Sequence, residues 1–305
     1  MSFAAETKSA LLSQSEGMKH DCCRKSLLYG ILYGAGLFSR ERVKLITSSE
    51  ELAALTVKWL TERYQIEGNL YITEKKSGNE DERRSCKVTI PQKKELDRYF
   101  SSLGYQPGEP AAELVTQKFT CPNCRGVFVR GVFLSAGRIS DPNKSYHLEL
   151  SLPLAEAADR MADFLTGERL PPKRMVRKTE QVLYYKDSEE IENFLAYIGA
   201  TNAAFAIMNK KIERELRSSA NRITNGEMAN IGKTVAAAGE QVAAINALKE
   251  SGELERLPEE LKITARLRLE HPDASLASLA ELHDPPITRS GVNHRLKKLL
   301  AFCGQ

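Results

Sequence analysis

No stretch of this 305-residue chain is apolar for more than 12 residues, the longest such run being Leu27–Phe38. A helix that spans a bilayer needs roughly 20, so no membrane partner is expected. Met1–Leu12 lacks the apolar centre of a secretory signal, with Glu6, Thr7 and Lys8 standing where it would be; the chain is expected in the cytoplasm. Neither sign of charge dominates. With 44 basic and 40 acidic residues the formal charge is only +4, so any affinity for polyanions has to come from local patches. Cysteine is scarce, six in all at 22, 23, 86, 121, 124 and 303, and in a chain this long that is no disulfide scaffold. What remains is an ordinary globular mixture, 28% charged and 42% hydrophobic, long enough to bury the cores of two or three domains.

One nine-residue stretch is written twice. Leu28-Tyr29-Gly30-Ile31-Leu32-Tyr33-Gly34-Ala35-Gly36 returns 101 positions later as Val129-Arg130-Gly131-Val132-Phe133-Leu134-Ser135-Ala136-Gly137. Gly30 and Gly34 are four apart, as are Gly131 and Ser135, so each pair shares one face of a helix. A face without bulk lets two backbones approach closely. The spacing predicts two helices packed on each other, one from each half of a duplicated domain.

Both copies resemble the LAGLIDADG motif of homing endonucleases. In those enzymes the eighth position is an acidic metal ligand and the sixth is often acidic. Here the eighth is Ala35 and Ala136, and the sixth Tyr33 and Leu134. The resemblance implies the scaffold with its catalytic chemistry removed. The nearest acids after the motifs, Glu41 and Asp141, are not symmetrically placed and read as turn and surface residues.

The same order of elements follows each copy. Val43, Leu45 and Thr47 alternate as a strand, as do Tyr146, Leu148 and Leu150. Helical spacing follows in Leu52, Leu55, Trp59 and Leu60, and again in Leu154, Ala158, Met161 and Leu165. Hairpins come next, Leu70–Thr73 with Cys86–Ile90 and Met175–Arg177 with Val182–Tyr185, the first with a Gly78-Asn79 turn signal. Closing helices carry Leu96, Tyr99 and Leu103 before Gly104, and Ile191, Phe194 and Ile198 before Gly199, each pair offset by 95. The second repeat is therefore six residues shorter (101 − 95), a loss best placed at a hairpin tip. Two copies of helix–strand–helix–hairpin–helix make an α+β domain with internal pseudo-twofold symmetry.

The second hairpin is basic, with Lys173, Arg174, Arg177, Lys178 and Lys186 against one acid, Glu180, between Leu170 and Lys186. DNA contact and plain solvation both fit it. The first hairpin mixes Lys75, Lys76, Arg83, Arg84 and Lys87 with Glu74, Glu80, Asp81 and Glu82 and reads as a solvated face. Residues 202–256 are rich in helix formers. Asn221-Arg222-Ile223-Thr224-Asn225-Gly226 predicts a break there, with Asn221, Arg222 and Asn225 in capping and turn hydrogen bonds; phosphate or base contact is the alternative.

From Pro258 on, three short helices are expected. Pro258, Glu259 and Glu260 open the first, which stops at His271-Pro272. Asp273 or Ser275 caps the second, Asp284-Pro285-Pro286 breaks the chain, and Thr288 caps the third. Val292, Leu296 and Leu299 point inward; Arg289, Ser290, Asn293, His294, Arg295, Lys297 and Lys298 point outward, with no acid between Thr288 and Leu300. This pattern fits a helix-turn-helix whose last helix enters the major groove. Arg289, Ser290 and Asn293 are placed for base edges, Arg295, Lys297 and Lys298 for phosphates. The stretch from Ala280 to Val292 is long for a tight turn, and a helical interaction domain with a solvated basic face is the plainer alternative.

Cys121-Pro-Asn-Cys124 has zinc-ligand spacing, and Cys22-Cys23 would complete four thiolates. A lone CxxC beside an adjacent pair is not the usual two-knuckle arrangement, however, and Cys23 and Cys124 lie 101 apart like the motif landmarks. They read as small buried residues at the starts of the motif helices; no metal and no cofactor is expected.

In order, paired cysteines, degenerate LAGLIDADG repeats, a helical connector and a helix-turn-helix resemble the WhiA family over nearly the whole chain. Asn221–Val235 is similar to that family's connector, with Gly226 where a cysteine would be expected and Asn123 where a Cys-Cys pair would recur. The resemblance implies a pseudo-twofold LAGLIDADG-like domain at 1–201 (repeats about 24–104 and 125–199), a connector at 202–256 and an all-α helix-turn-helix domain at 257–305. It also implies a non-enzymatic, nucleoid-associated regulator of transcription that binds double-stranded DNA and acts in cell division and sporulation, with a second regulator or RNA polymerase as a further partner. A division, chromosome-segregation or nucleoid adaptor working through protein contacts is the alternative, and a residual endonuclease a third.

Overall fold

The computed structural model describes residues 2–66, 69–76, 82–90, 92–114 and 119–303. It begins with α1 (Phe3–Glu16), whose N-cap Ser2 accepts from Ala5 N. The first repeat follows as α2 (Asp21–Tyr33), β1 (Leu37–Phe38), β2 (Val43–Thr47), α3 (Glu50–Tyr64), β3 (Asn69–Lys76), β4 (Glu82–Thr89) and α4 (Lys93–Leu103). The second is α5 (Cys124–Ala136), β5 (Gly137–Ile139), β6 (Leu148–Leu152), α6 (Ala155–Gly167), β7 (Lys173–Arg177), β8 (Glu180–Tyr185) and α7 (Ser188–Tyr197). Each repeat makes a four-stranded antiparallel sheet of matching order, β1-β2-β4-β3 and β5-β6-β8-β7. The duplicated α+β reading therefore holds, with α1 and a short strand after each motif helix added to it. The second hairpin is the shorter one. β7 and β8 turn between Arg177 and Glu180, whereas β3 and β4 pair out to Lys76 and Glu82; the Gly78-Asn79 tip lies outside the described residues.

Local chemistry explains the element ends. Ser49 Oγ accepts from Leu52 N (3.1 Å) at the start of α3, and Asp187 Oδ1 accepts from Glu189 N (2.9 Å) at the start of α7. The chain leaves α4 at Gly104 (φ +90) and α7 near Gly199 (φ +81), left-handed positions that favour glycine. Between caps, the helices bury Leu52, Leu55, Trp59 and Leu60 in α3 and Ala158, Met161 and Leu165 in α6, as the periodicity expects, whereas Leu154 stands at the N-cap of α6 and is exposed.

At the centre α2 and α5 are buried on almost every side, and their small residues interlock. Gly30 lies against the carbonyl of Phe128, and Gly131 lies against the carbonyl of Leu27. Those four positions map onto each other by the 101-residue offset, so the approach is reciprocal, as a pseudo-twofold axis between the helices requires. Tyr29, Tyr33 and Phe128 pack around the pair, with Phe128 centroids 5.0 and 5.8 Å from those of the tyrosines.

The chain divides into two compact units, Met1–Glu213 and Arg214–Gln305, with the boundary inside α8 (Thr201–Glu250). The predicted break at 221–226 is absent: residues 201–250 are helical throughout. Asn221, Arg222 and Asn225 are exposed interior positions of that helix rather than caps or turn residues. Propensity explains the difference. Asparagine and glycine cost a helix about 1 kcal/mol or less apiece, and a proline-free run rich in Ala, Glu, Lys and Arg outweighs them. In the second unit α8 is followed by α9 (Glu259–Glu270), α10 (Leu276–Glu281) and α11 (Arg289–Cys303). Its core joins Leu261, Ala265, Leu279, Ala280, Val292, Leu296 and Leu299 to Ile245 and Leu248 of α8, so a fourth helix completes the domain. Among the described residues, no helix is long and apolar enough to cross a membrane.

Candidate nucleic-acid interface

The three C-terminal helices are held by polar contacts beneath their apolar core. Arg268 of α9 is buried, and its Nη1 donates to Ala274 O (2.7 Å), fixing the turn into α10. His283 Nδ1 faces Leu279 O at 2.8 Å, and a carbonyl only accepts, so Nδ1 carries the proton. Nε2 lies 3.0 Å from Thr264 Oγ1, tying α10's end to α9. Ser275, not Asp273, caps α10 by accepting from Ser278 N (3.1 Å). The long segment before α11 folds back, with Ile287 N donating to Ala280 O (3.1 Å).

Thr288 Oγ1 accepts from Gly291 N (3.1 Å), which starts α11 where the sequence places it. Along the helix Arg289, Asn293 and Lys297 form one row at i, i+4, i+8, and Ser290, His294 and Lys298 form the next. All but half-buried Asn293 are exposed. Arg295 departs from the expected outward set. Its Nη2 lies 3.3 Å from Glu260 Oε2 of α9, and its side chain is only 22% exposed. It stands on the edge of the row, pinned to the neighbouring helix.

The second repeat's sheet presents a different surface. Register places Leu148, Leu150, Leu183 and Tyr185 on the core face and Arg138, Glu149, Tyr184 and Lys173 side by side on the other. Arg177 grips Glu149 with two parallel bonds, Nη1–Oε1 and Nη2–Oε2, each 2.9 Å. His147 Nε2 is 3.1 Å from the same carboxylate and Arg138 Nη1 3.6 Å. Burial pushes the Glu149 carboxyl up, but these hydrogen bonds and charges outweigh it and hold the group below its ordinary range. Arg174 is paired as well, with Asp159 at 2.5 Å. The four candidate DNA-contact cations here, Lys173, Arg174, Arg177 and Lys178, are all exposed, and Arg174 and Arg177 also answer carboxylates of their own domain. Arg138 joins this face although the sequence reading passed over it; it directly follows the repeated nonapeptide, and strand alternation from Gly137 would have marked it as outward. In the first sheet Lys44 and Lys87 lie on the corresponding face. The side chains of Lys75, Lys76, Arg83 and Arg84 fall outside the described ones.

At the C-terminal ends of the motif helices no carboxylate stands at the sixth or eighth motif position. Ala35 and Ala136 are buried. Tyr33 Oη donates to Ala112 O (2.7 Å) instead of offering a carboxylate. Lys8 of α1 reaches the same region and donates Nζ to Leu134 O (3.1 Å). Burial, and then the nearby Arg138, push its ammonium down to about 8. Asp141 is a turn residue, as expected, accepting from Asn143 N at 2.8 Å. A cation therefore occupies the region where metal-binding acids would be needed.

Among the described residues, one cluster of three or more metal-ligating side chains occurs, and it lies elsewhere. Cys22, Cys23, Cys121 and Cys124 have all four sulfurs within 4.8 Å of one another. The sequence expectation of no metal rests on a lone CxxC beside an adjacent pair not being the usual two-knuckle arrangement; the docking of α2 on α5 nevertheless brings the four cysteines together.

Comparison with known proteins agrees with this architecture. Residues 125–217 match the model of the WhiA LAGLIDADG-like domain, and residues 220–303 match that of the WhiA C-terminal HTH domain. The probable cell division protein WhiA of Clostridium novyi is 32% identical over 311 residues, covering 98% of this chain and 96% of its own. That of Lachnoclostridium phytofermentans is also 32% identical, covering 99% and 98%. Among solved structures, full-length DUF199/WhiA from Thermotoga maritima matches 100% of this chain and 98% of its own with a TM-score of 0.57 at 21% identity, a likeness of fold.

Proposed function

This chain belongs to the WhiA family, and we propose that it is a sequence-specific DNA-binding regulator of transcription, without nuclease activity, acting in cell division and sporulation. One observation carries the reading, the pair of outward rows on α11, Arg289-Asn293-Lys297 and Ser290-His294-Lys298, with no acid anywhere along them. The N-terminal residues of such a helix reach base edges and its later lysines reach phosphates. The LAGLIDADG-like domain supports the reading by having a lysine and two alanines where cleavage would need carboxylates. The curated relatives are named as probable cell division proteins, and the role in division is carried over from them, that in sporulation from the family resemblance alone.

The test is selection of genomic fragments by the full-length protein. A shared sequence among the recovered fragments, lost when Arg289 and Asn293 are both changed to alanine, is the expected result. Recovery that follows fragment length alone would remove sequence-specific regulation. A second reading, a division, chromosome-segregation or nucleoid adaptor working through protein contacts, is favoured by Met228, Ile231 and Val235, which stand at i, i+3, i+7 on α8 and are each more than half exposed. It expects variants that cannot bind DNA still to support division.

A further inference from the structure

The four clustered cysteines stand outside the residues proposed above to bind DNA. Cys22 and Cys23 lie in the first turn of α2, Cys124 is the first residue of α5, and Cys121 precedes it by a single turn closed by Cys124 N donating to Cys121 O (3.1 Å). Cys23 Sγ and Cys124 Sγ each lie 3.4 Å from Cys121 Sγ, and no sulfur is farther than 4.8 Å from another. These are free thiols in mutual contact, two of them buried and two half-buried.

We infer that Cys22, Cys23, Cys121 and Cys124 bind one zinc ion as four thiolates, clasping the N-terminal ends of the two motif helices across the pseudo-twofold axis. The size fits. Zinc–sulfur bonds of about 2.3 Å in a tetrahedron set sulfurs roughly 3.8 Å apart, within the range of separations present. The donors fit as well. An all-sulfur set selects soft metals, and four ligands with no position left for water make a structural rather than a catalytic site. An iron–sulfur cluster would need its cysteines spread around a much wider core. The charge is also met, because two helix N-termini converge on the thiolates, and Lys19, His20 and Arg130 line the adjoining cavity together with Cys23. A zinc ion here joins segments about a hundred residues apart in sequence, one in each repeat.

The full-length, untagged protein, reconstituted with zinc chloride under reducing conditions and desalted, should hold about one zinc per chain by elemental analysis. Exchange with cobalt(II) should give the intense visible bands of a tetrahedral site and thiolate-to-cobalt charge transfer. Cys121→Ser, at a half-buried position, should lose the bound zinc. Should that variant fold poorly, the wild type still decides the matter: reaction with a thiol reagent should be slow in four cysteines and become fast on adding a strong chelator. Substoichiometric zinc, retention of zinc by Cys121→Ser, a bound iron chromophore, or thiol reactivity indifferent to chelator would each overturn the assignment.

Discussion

Gly30 on α2 faces the carbonyl of Phe128 on α5 so closely that a Cβ there would overlap the oxygen. The obstacle is backbone, which cannot rotate away as a side chain can. Gly30→Ala should therefore force the helices apart and cost at least about 1–3 kcal/mol, read as a lower midpoint in urea unfolding of the LAGLIDADG-like domain. Gly34→Ala should cost less, because its nearest neighbour is the movable Ser135 hydroxyl. Gly226→Ala, on α8 with nothing within 4 Å, should be neutral or stabilising by up to about 1 kcal/mol. Equal losses at all three positions would contradict the interlocked geometry.

The two kinds of cation on α11 should separate in DNA binding. Arg289→Ala should weaken specific binding by about 1–3 kcal/mol and relax preference at one position of the site. Lys297→Ala with Lys298→Ala should weaken all sequences alike and reduce the salt slope by about 2. Arg295, held by Glu260, should matter less than Arg289. Titrations of cognate and scrambled duplexes at several salt concentrations distinguish these outcomes.

Whether the sheet of the second repeat touches DNA turns on Glu149. Glu149→Gln removes the charge that engages Arg177 and stands beside Arg138. If that face lies on a duplex, non-specific affinity at low salt should rise and the salt slope steepen by about 1. Unchanged affinity would leave the hairpin as a solvated surface.

Lys8 supplies a pH signature. Its folded-state pKa of about 8 is below the value of about 10.4 for an unfolded lysine, so between those values the unfolded chain binds more protons and stability rises with pH. Below about pH 8 the burial of a charged ammonium is a constant penalty. The difference in unfolding free energy between wild type and Lys8→Met should shift in favour of the wild type as pH climbs from about 8 to 10. A flat difference would show that Lys8 is not protonated against a cost.

The duplication was legible because regular offsets survive in the chain itself. Gly30 with Gly131, 101 apart, and Leu103 with Ile198, 95 apart, announce the repeat in the sequence alone. The outward face of α11 was legible for a similar reason, since periodicity sorts Arg289 and Lys298 from Val292 and Leu296. Features that depend on one segment docking on another were hidden. Cys22 and Cys121 meet only because α2 lies on α5, and Arg295 turns inward only because Glu260 stands beside it. The continuous helix through Asn221 was lost for another reason, the weakness of single-residue propensities against a long compatible run.

The reciprocal contacts of α2 and α5 also constrain how the two copies can drift. A bulky replacement at Gly30 is felt by the second repeat, and one at Gly131 by the first, so neither position is free to vary while the other stands still. The seam therefore works as one shared part, in which each half supplies the backbone that the other half's glycine must clear.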